Sequence, residues 1–190
     1  MLGISCSELR KILSYRGILS KLCSAYMQTQ FDIRTTQCDH GISTKPYFAY
    51  RRIVSLEDTN ATGNVYFAQY VKWQGNCREM FLKLTGDWVV RELGSKYALV
   101  TTWCRCDYYI ESQAFDEICM HLYISETMQN RMTMEFEYWR VGGSRDELVA
   151  RGSQQIAWLE RNDDGRMQPR PVPPRLLAAI DQYIASKYGR

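Results

Sequence analysis

Residues 57–70 read EDTNATGNVYFAQY, and within this stretch the pattern changes from that of a strand to that of a helix. The polar run that ends at Gly63 predicts a tight turn, and the aromatic residues after it begin a helix. The first N–H groups of a helix have no partner inside it, so they can bind an electron-rich atom such as a carbonyl oxygen. We therefore predict a carbonyl-binding turn, and the side chain beside it is Asn60, an amide rather than an acid or a base.

The residues on either side of the turn predict one strand and one long helix. Residues 48–56 alternate in the manner of a strand, and from Val65 to about Leu84 apolar residues recur at steps of three and four. Apolar residues on most sides of this helix indicate that it is buried from more than one direction. Gly86 is a natural stop for it.

Four strand-like segments follow, rich in Tyr, Trp, Val, Ile and Thr and separated by short turns. They are Lys96–Ile110, Phe115–Thr127, Arg131–Val141 and Glu147–Leu159. Consecutive strands with short connections form an antiparallel meander, and prolines then precede a last helix of roughly residues 174–187. Because the only long helix is the one at 65–85, the pattern predicts an α+β hot dog fold, an antiparallel sheet of about five strands wrapped around that helix.

The charge of the chain is unevenly distributed. Residues 1–45 contain six basic and three acidic residues, whereas residues 46–190 contain 18 of each. The second part therefore lacks the basic surface of a nucleic-acid-binding domain, and no apolar run approaches the roughly 20 residues that span a bilayer. From Gln28 to Pro46 the sequence shows no helix or strand periodicity. We therefore interpret residues 1–45 as a disordered N-terminal extension to a single domain of residues 46–190.

The seven cysteines are scattered, and nothing near the N-terminus resembles a secretory signal. This pattern is typical of free thiols in the reducing cytoplasm. Cys104 and Cys106 lie one residue apart, but the chain has two histidines and no second cysteine pair to complete a tetrahedral site. We expect a cytoplasmic protein with no metal site and no cofactor, in which Cys77 and His121 are structural.

The turn and the helix after it resemble a known signature. With the order Glu-Asp-Thr-x-Ala-x-Gly-x-Val-Tyr-x-Ala-x-Tyr, residues 57–70 resemble the motif of the 4-hydroxybenzoyl-CoA thioesterase-like group of hot dog proteins. The resemblance extends to about residue 185 and excludes residues 1–45. Within the group, NATGNVYF at 60–67 followed by WQGNCREMF at 73–81 is most similar to the enediyne-polyketide thioesterases.

This resemblance implies a thioesterase that acts with an iterative polyketide synthase. Such enzymes are understood to hydrolyse a long polyene β-ketoacyl thioester from its acyl carrier protein, after which the β-keto acid can lose carbon dioxide. Most members of the wider group have a catalytic Asp where this chain has Asn60, and many have a Glu where it has Gln74. An amide takes up no proton near neutral pH, so neither covalent nor general-base catalysis is available at these positions. The enediyne thioesterases share this lack of an acid, which supports the narrower resemblance.

The predicted site combines the turn with one charged residue of the helix. Asn60 and Arg78 are the predicted catalytic residues, Asn60 to hold a water molecule or the carbonyl oxygen, and Arg78, as the resemblance implies, to stabilise an enolate or carboxylate. The two lie 18 residues apart, too far to meet in one subunit if the helix is straight. The resemblance implies a site across a dimer interface, where hot dog active sites usually lie, and Arg78 could reach such a site. Backbone N–H groups from about 65 to 67 are the predicted oxyanion donors. The predicted oxyanion- and substrate-binding residues are Gly63, Asn64, Val65, Tyr66, Phe67 and Tyr70.

Plainer interpretations stay open for the same residues. Asn60 can cap its own turn, Asn64 can cap the helix, Arg78 can pair with Glu79, and Asp58 is expected to order the turn. The rival functions are a general acyl-CoA thioesterase and a non-catalytic acyl-binding hot dog protein. In each case we expect a homo-oligomer, a dimer or a tetramer, with a thioester ligand and with neither nucleic acid nor a membrane as partner.

Overall fold

The computed structural model of the protein describes residues 46–188, and the predicted N-terminal extension lies outside this part. Within it are six strands, three α-helices and one 3-10 turn. The strands are β1 (Phe48–Ile53), β2 (Tyr97–Tyr108), β3 (Glu117–Met128), β4 (Arg131–Val141), β5 (Glu147–Arg161) and β6 (Met167–Pro169). The helices are α1 (Phe67–Thr85), α2 (Asp87–Glu92) and α3 (Pro174–Tyr188), and the 3-10 turn is Leu56–Asp58. None of the helices found between residues 46 and 188 is long and apolar enough to cross a membrane.

The strands form one antiparallel sheet in the order β1-β3-β4-β5-β2, and β6 pairs with the end of β5. The four predicted long strands are confirmed. Their predicted order in the sheet is wrong at one place, because β2 pairs with β5 rather than with β3, the next strand along the chain. Strand β1 takes the place beside β3. Among the described residues, β2 therefore has β5 on one side and a free edge on the other.

Helix α1 lies against one face of this sheet, which confirms the hot dog fold. Its buried side chains include Trp73, Cys77 and Phe81, and the Phe81 ring packs 5.6 Å from the ring of Phe48 in β1. The hydroxyl of Tyr138 in β4 donates a 2.8 Å hydrogen bond to the backbone oxygen of residue 70 in the helix. The buried residues of α1 lie at steps of three and four on one side of the helix, whereas the apolar Phe67 and Leu84 are exposed, so the predicted burial from more than one direction is wrong within this chain.

The closest approach of α1 to the sheet occurs at Gly152 in β5. A Cβ atom at this position would lie 2.2 Å from Nε2 of Gln74, well inside any allowed contact. The Gln74 side chain is buried, and its Nε2 donates a 3.0 Å hydrogen bond to the backbone oxygen of Arg105 in β2. A residue without a side chain at 152 therefore lets the helix reach across β5 to bind the edge strand.

The opposite face of the sheet carries an aromatic cluster. The imidazole of His121 in β3 stacks on Tyr47 with ring centroids 3.8 Å apart. Burial lowers the pKa of His121 to about 3, and the charge of Arg51 acts in the same direction. The neighbouring Glu137 carboxylate accepts hydrogen bonds from Tyr123, Trp139 and Arg151. His121 is thus a buried neutral group of the sheet, in agreement with its predicted structural role.

The structure moves the start of one helix and adds two short elements. Helix α1 begins at Phe67 rather than Val65, and the short elements α2 and β6 were not predicted. Gly86 ends α1 as expected, but a new helix starts immediately after it. A helix start that moves by two residues is within the ordinary variation of helix boundaries.

Candidate active site

The side chain of Asn60 holds the turn before α1 together. Its Oδ1 atom accepts hydrogen bonds from the Thr62 N–H at 2.9 Å, the Thr62 hydroxyl at 2.7 Å and the Asn64 N–H at 3.2 Å. Gly63 has a φ of 87°, in the left-handed region that a residue with a Cβ adopts only under strain. The tight turn is confirmed, and so is the interpretation of Asn60 as its cap.

This cap determines what Asn60 can offer a ligand. Three donors converge on Oδ1, which fixes the orientation of the amide and leaves that oxygen no capacity for a water molecule. The Nδ2 group has no hydrogen-bond partner among residues 46–188, and the residue is exposed. Asn60 can therefore donate to a carbonyl oxygen, but it cannot accept a hydrogen bond from an attacking water molecule.

Asp58 orders the start of the turn, as predicted. Its carboxylate is buried and accepts hydrogen bonds from the Ser55 N–H, the Ser55 hydroxyl and the Arg52 guanidinium, each 2.8–2.9 Å long. Burial alone would raise the pKa of Asp58, but the Ser55 hydrogen bonds and the Arg52 charge hold it below its ordinary value. The guanidinium of Arg52 in turn lies 4.1 Å over the ring of Trp73 in α1, which fixes the turn to the helix.

The N–H groups at the helix start differ from the prediction. The Val65 N–H donates to the Ser112 backbone oxygen at 2.8 Å, and the Tyr66 N–H donates to the Asp58 backbone oxygen at 2.9 Å. Both predicted donors are therefore occupied, so the prediction was wrong for these two groups. The N–H groups of Phe67 and Ala68 find no acceptor among residues 46–188 and stay available. Asn64 is not the helix cap, because it pairs with Asn60 inside the turn.

A cavity of about 370 Å³, here named the turn cavity, lies between this turn, the start of α1 and the end of β2. Six of the predicted site residues line it: Asn60, Asn64, Val65, Tyr66, Phe67 and Tyr70. Gly63 shapes the turn without lining the cavity. Five wall residues come from a segment that the motif did not point to: Tyr108, Tyr109, Ile110, Glu111 and Ser112.

Two buried hydroxyl groups meet in the wall of the turn cavity. The Tyr70 hydroxyl donates to Ser112 Oγ at 3.1 Å, and both residues are almost completely buried. Burial raises the pKa of Tyr70, and the hydrogen bond to Ser112 offsets part of that rise. Tyr108 packs edge-on against Tyr70 and donates to the Phe67 backbone oxygen at 2.9 Å. Tyr70, one of the predicted substrate-binding residues, thus lines the turn cavity together with Ser112, to which its hydroxyl is bound.

Glu111 is the one acidic residue in the described wall of the turn cavity. Its side chain is exposed, and its backbone oxygen accepts a 3.1 Å hydrogen bond from Arg140. The residue comes from the turn between β2 and β3, far from Asn60 in sequence, so no local motif marks it. The structure adds it to the candidate residues.

Arg78 lies on the far part of α1 and does not line the turn cavity. Its guanidinium donates to the Thr101 hydroxyl at 3.0 Å and to Gln154 Oε1 at 2.9 Å. No ion pair joins it to Glu79 or to any other acid within residues 46–188, and its Nε atom is buried without a partner. Burial lowers the pKa of Arg78, while the nearby charge of Glu79 opposes this. The result is a half-buried cation that forms no ion pair with any described residue, with Glu79 as the nearby acid that acts on its charge.

A second cavity of about 450 Å³, here named the Arg78 cleft, opens beside this guanidinium. Its other walls come from α1, from α2 and the turn after it, and from the start of β2, and they are mainly apolar apart from the acidic Glu79: Glu79, Leu82, Val90, Leu93, Gly94, Ala98 and Leu99. Gln74 lies between the two cavities in sequence and lines neither. As the length of the helix predicted, Asn60 and Arg78 are not brought together within one chain.

The cysteines of the described part carry no metal site. Cys77 is fully buried, and burial raises the pKa of its thiol well above the usual range. Burial also raises the pKa of the Cys106 thiol to about 11, so it is protonated near neutral pH. Among residues 46–188 there is no group of three or more His, Cys, Asp or Glu side chains that could hold a metal ion.

The fold and this site define a class of enzyme. Residues 54–180 match the family model described as the thioesterase-like superfamily, and the chain belongs to that superfamily. It is an acyl-thioester hydrolase with a hot dog fold. No curated protein matches the chain significantly.

Among solved structures, the protein is similar to the dynemicin thioesterase, whose crystal structures describe induced-fit and allosteric effects upon polyene binding. The two are 38% identical over 72% of this chain and 96% of that chain, with a TM-score of 0.67. A thioesterase superfamily protein from Jannaschia sp. CCS1 is 26% identical over 75% of this chain and 83% of that chain, with a TM-score of 0.61. A mutant 4-hydroxybenzoyl-CoA thioesterase in complex with 4-hydroxybenzoyl-CoA shares the fold, at 16% identity over 70% and 98% of the chains and a TM-score of 0.63.

Proposed function

We propose that the protein hydrolyses the thioester of a long polyene β-ketoacyl chain carried by the acyl carrier protein of an iterative polyketide synthase. The enzyme would act in the cytoplasm in an enediyne-type pathway. The observation that carries the proposal is the 38% identity to the dynemicin thioesterase over 96% of that protein. The geometry of the two cavities agrees with such a substrate in three respects.

First, the turn cavity offers hydrogen-bond donors to a thioester carbonyl. The Phe67 and Ala68 N–H groups and the Asn60 Nδ2 group are all without partners in the described residues. As water attacks, the carbonyl oxygen gains negative charge, and each well-placed donor is worth roughly 3 kcal/mol in the transition state. Asn60 acts here as a donor to that oxygen.

Second, the chemistry requires no carboxylate at the positions used by the wider group. Asn60 and Gln74 are both amides. The Oδ1 atom of Asn60 is occupied by donors of the turn, and the Nε2 atom of Gln74 is bound to β2. The positive charge comes from Arg78, which forms no ion pair with any described residue. A cation outside an ion pair stabilises a β-keto carboxylate or the enolate that forms when this acid loses carbon dioxide.

Third, the Arg78 cleft has the apolar walls that a polyene chain needs. Its volume of about 450 Å³ is within the range of ligand-binding cavities. The acyl chain would lie along Leu82 and Leu99, and its polar end would face the guanidinium.

A homodimer would join the two cavities into one site. Strand β2 is exposed from Val100 to Arg105 and has a free edge, which another copy of the same strand can pair with. Antiparallel pairing about a two-fold axis near the middle of β2 would place Tyr108 beside Ala98 of the partner subunit. The turn cavity of each subunit would then adjoin the Arg78 cleft of the other.

The test is hydrolysis of one β-ketoacyl polyene presented in two forms, on an acyl carrier protein and on coenzyme A. Asn60→Ala and Arg78→Ala should each lower kcat/KM by about 100-fold, the size of effect of one oxyanion-stabilising group. Arg166→Ala, which removes an exposed guanidinium away from both cavities, is the matched control. Unchanged hydrolysis in both site variants would refute the site, and a preference for the coenzyme A form would identify a general acyl-CoA thioesterase instead.

A further inference from the structure

The site described so far binds the carbonyl but lacks a group that orients the attacking water molecule. Such a group must accept a hydrogen bond, so that a lone pair of the water faces the carbonyl carbon. Asn60 Oδ1 is occupied by three donors, and the Ser112 and Phe67 backbone oxygens accept from Val65 and Tyr108. The amide oxygen of the turn is therefore already in use, and the Glu111 carboxylate, the other side-chain acceptor in the described wall, is exposed to bulk water.

The hydroxyl pair of Tyr70 and Ser112 has the missing capacity. One O–H is consumed in the 3.1 Å bond between them. Whichever hydroxyl donates, the pair retains one O–H and at least one lone pair for a ligand. Both residues line the turn cavity and both are almost completely buried, so bulk water does not compete for these groups.

The position of Ser112 is fixed relative to the carbonyl donors. Its backbone oxygen accepts the Val65 N–H at 2.8 Å, two residues before the free N–H of Phe67. The residue after it also forms a bridge with Asn64 in the turn. The side chain of Ser112 and the donors of the turn thus belong to one rigid unit, which is the requirement for holding water in a productive geometry.

We infer that Ser112 is a catalytic residue whose Oγ accepts a hydrogen bond from the attacking water molecule, and that the Tyr70 hydroxyl positions it. The water oxygen bonds to the carbonyl carbon, the C–S bond breaks, and one water proton ends on the departing thiolate. Ser112 keeps its own proton throughout. This role rests on the proposed function only in that the turn cavity is the place where the thioester reacts.

The experiment compares water with hydroxylamine as the attacking nucleophile on a simple acyl N-acetylcysteamine thioester. Ser112→Ala should lower kcat for hydrolysis by about 10- to 100-fold with little change in KM. Hydroxylamine is a stronger nucleophile and depends less on orientation, so hydroxamate formation, corrected for the uncatalysed reaction, should fall by a smaller factor. The ratio of hydroxamate to acid should rise in Ser112→Ala and, to a lesser extent, in Tyr70→Phe.

Tyr138→Phe is the matched control, because it also removes a buried hydroxyl that bonds to residue 70 but does not line the turn cavity. It should lower the melting temperature and leave the product ratio unchanged. Wild-type kcat in Ser112→Ala, or an equal loss with both nucleophiles, would overturn the inference. If Ser112→Ala does not fold, Tyr70→Phe decides by the same ratio. Asn60→Ala in the same assay tests the turn cavity separately from the role of Ser112. Full activity of Asn60→Ala would refute the turn cavity as the place where the thioester reacts, whatever the result for Ser112→Ala.

Discussion

At the scale of single residues, Asn60 shows that a structural and a catalytic interpretation need not compete. The cap occupies Oδ1 and leaves Nδ2 without a partner among residues 46–188, on a residue that lines the turn cavity. The same hydrogen bonds that stabilise the turn orient the donor. An amide serves both purposes because it has an acceptor at one atom and donors at the other.

Replacing Asn60 by Asp should separate these two purposes. Asp retains an oxygen for the cap, so we expect the free energy of unfolding to change by less than about 1 kcal/mol. It loses the Nδ2 donors and adds a negative charge beside the carbonyl, so kcat at neutral pH should fall by about 100-fold. Chemical denaturation and steady-state kinetics measure the two effects. Retained activity means either that Nδ2 does not contact the substrate or that the new Asp takes over the catalytic role it has in the wider group, and Asn60→Ala separates the two.

At the scale of elements, the contact between α1 and β5 is set by the absence of a side chain. Gly152→Ala would place a Cβ atom 2.2 Å from Nε2 of Gln74 and 3.3 Å from the Arg105 backbone oxygen. We expect a loss of about 1–3 kcal/mol in the free energy of unfolding, as for other over-packed cores. Denaturant unfolding measures this loss.

A second substitution tests the cause. Combining Gly152→Ala with Gln74→Ala removes the clashing atoms, so the double variant should lose less than the sum of the two single losses. Additive losses would mean that the helix moves away as a whole. Gly143→Ala, where a Cβ atom would meet its nearest neighbour at 3.6 Å, is the control for the intrinsic effect of the replacement.

The buried His121, on the face of the sheet opposite α1, should make the stability of the protein depend on pH. The pKa of His121 is about 3 in the folded protein, below its ordinary value, so folding favours the neutral imidazole. Its contribution to stability is complete above about pH 6.5 and is lost as the pH falls toward 3, at about 1.4 kcal/mol for each pH unit. Denaturant unfolding at pH 7.5 and pH 5 should show this loss in the wild type and a weaker one in His121→Gln. Equal slopes in both proteins would contradict the assignment.

Strand β1 and helix α1 could be predicted from local sequence patterns. The residues that β2 and the turn after it contribute to the turn cavity could not. The alternation of residues 48–56 and the three- and four-residue steps after Val65 are local, and they predicted β1 and α1. Residues 108–112 reach the turn because the chain after β2 pairs with it, through the Val65 N–H to Ser112 hydrogen bond and the bridge between Asn64 and Gln113, contacts over more than forty residues. No periodicity records such a contact. For the same reason the helix pattern predicted the Val65 and Tyr66 N–H groups as free donors, although the Ser112 and Asp58 backbone oxygens bind them.

At the scale of the whole molecule, the separation of Asn60 from Arg78 leads to a test by mixing subunits. If each site takes Asn60 from one subunit and Arg78 from the other, an Asn60→Ala chain and an Arg78→Ala chain together form one intact site in each mixed dimer. Random exchange of equal amounts makes half of the dimers mixed, so the activity should recover to roughly a quarter of the wild-type value.

The measurement is hydrolysis before and after refolding the two variants together from denaturant. Each variant refolded alone is the control and should stay inactive. If both residues act within one chain, the mixture gains nothing over its components, and the composite site is refuted. Recovery far above a quarter would indicate that one of the two variants is itself active.

The contact between Gln74 and β2 limits which side chain this position of α1 can carry. The Nε2 atom of Gln74 donates to the Arg105 backbone oxygen, and the absence of a side chain at Gly152 makes the room that this amide occupies. A Glu at this position would set a carboxylate oxygen against that backbone oxygen, with repulsion in place of attraction. A Gln74→Glu chain must therefore keep this carboxyl group protonated, shift the edge strand or lose the contact.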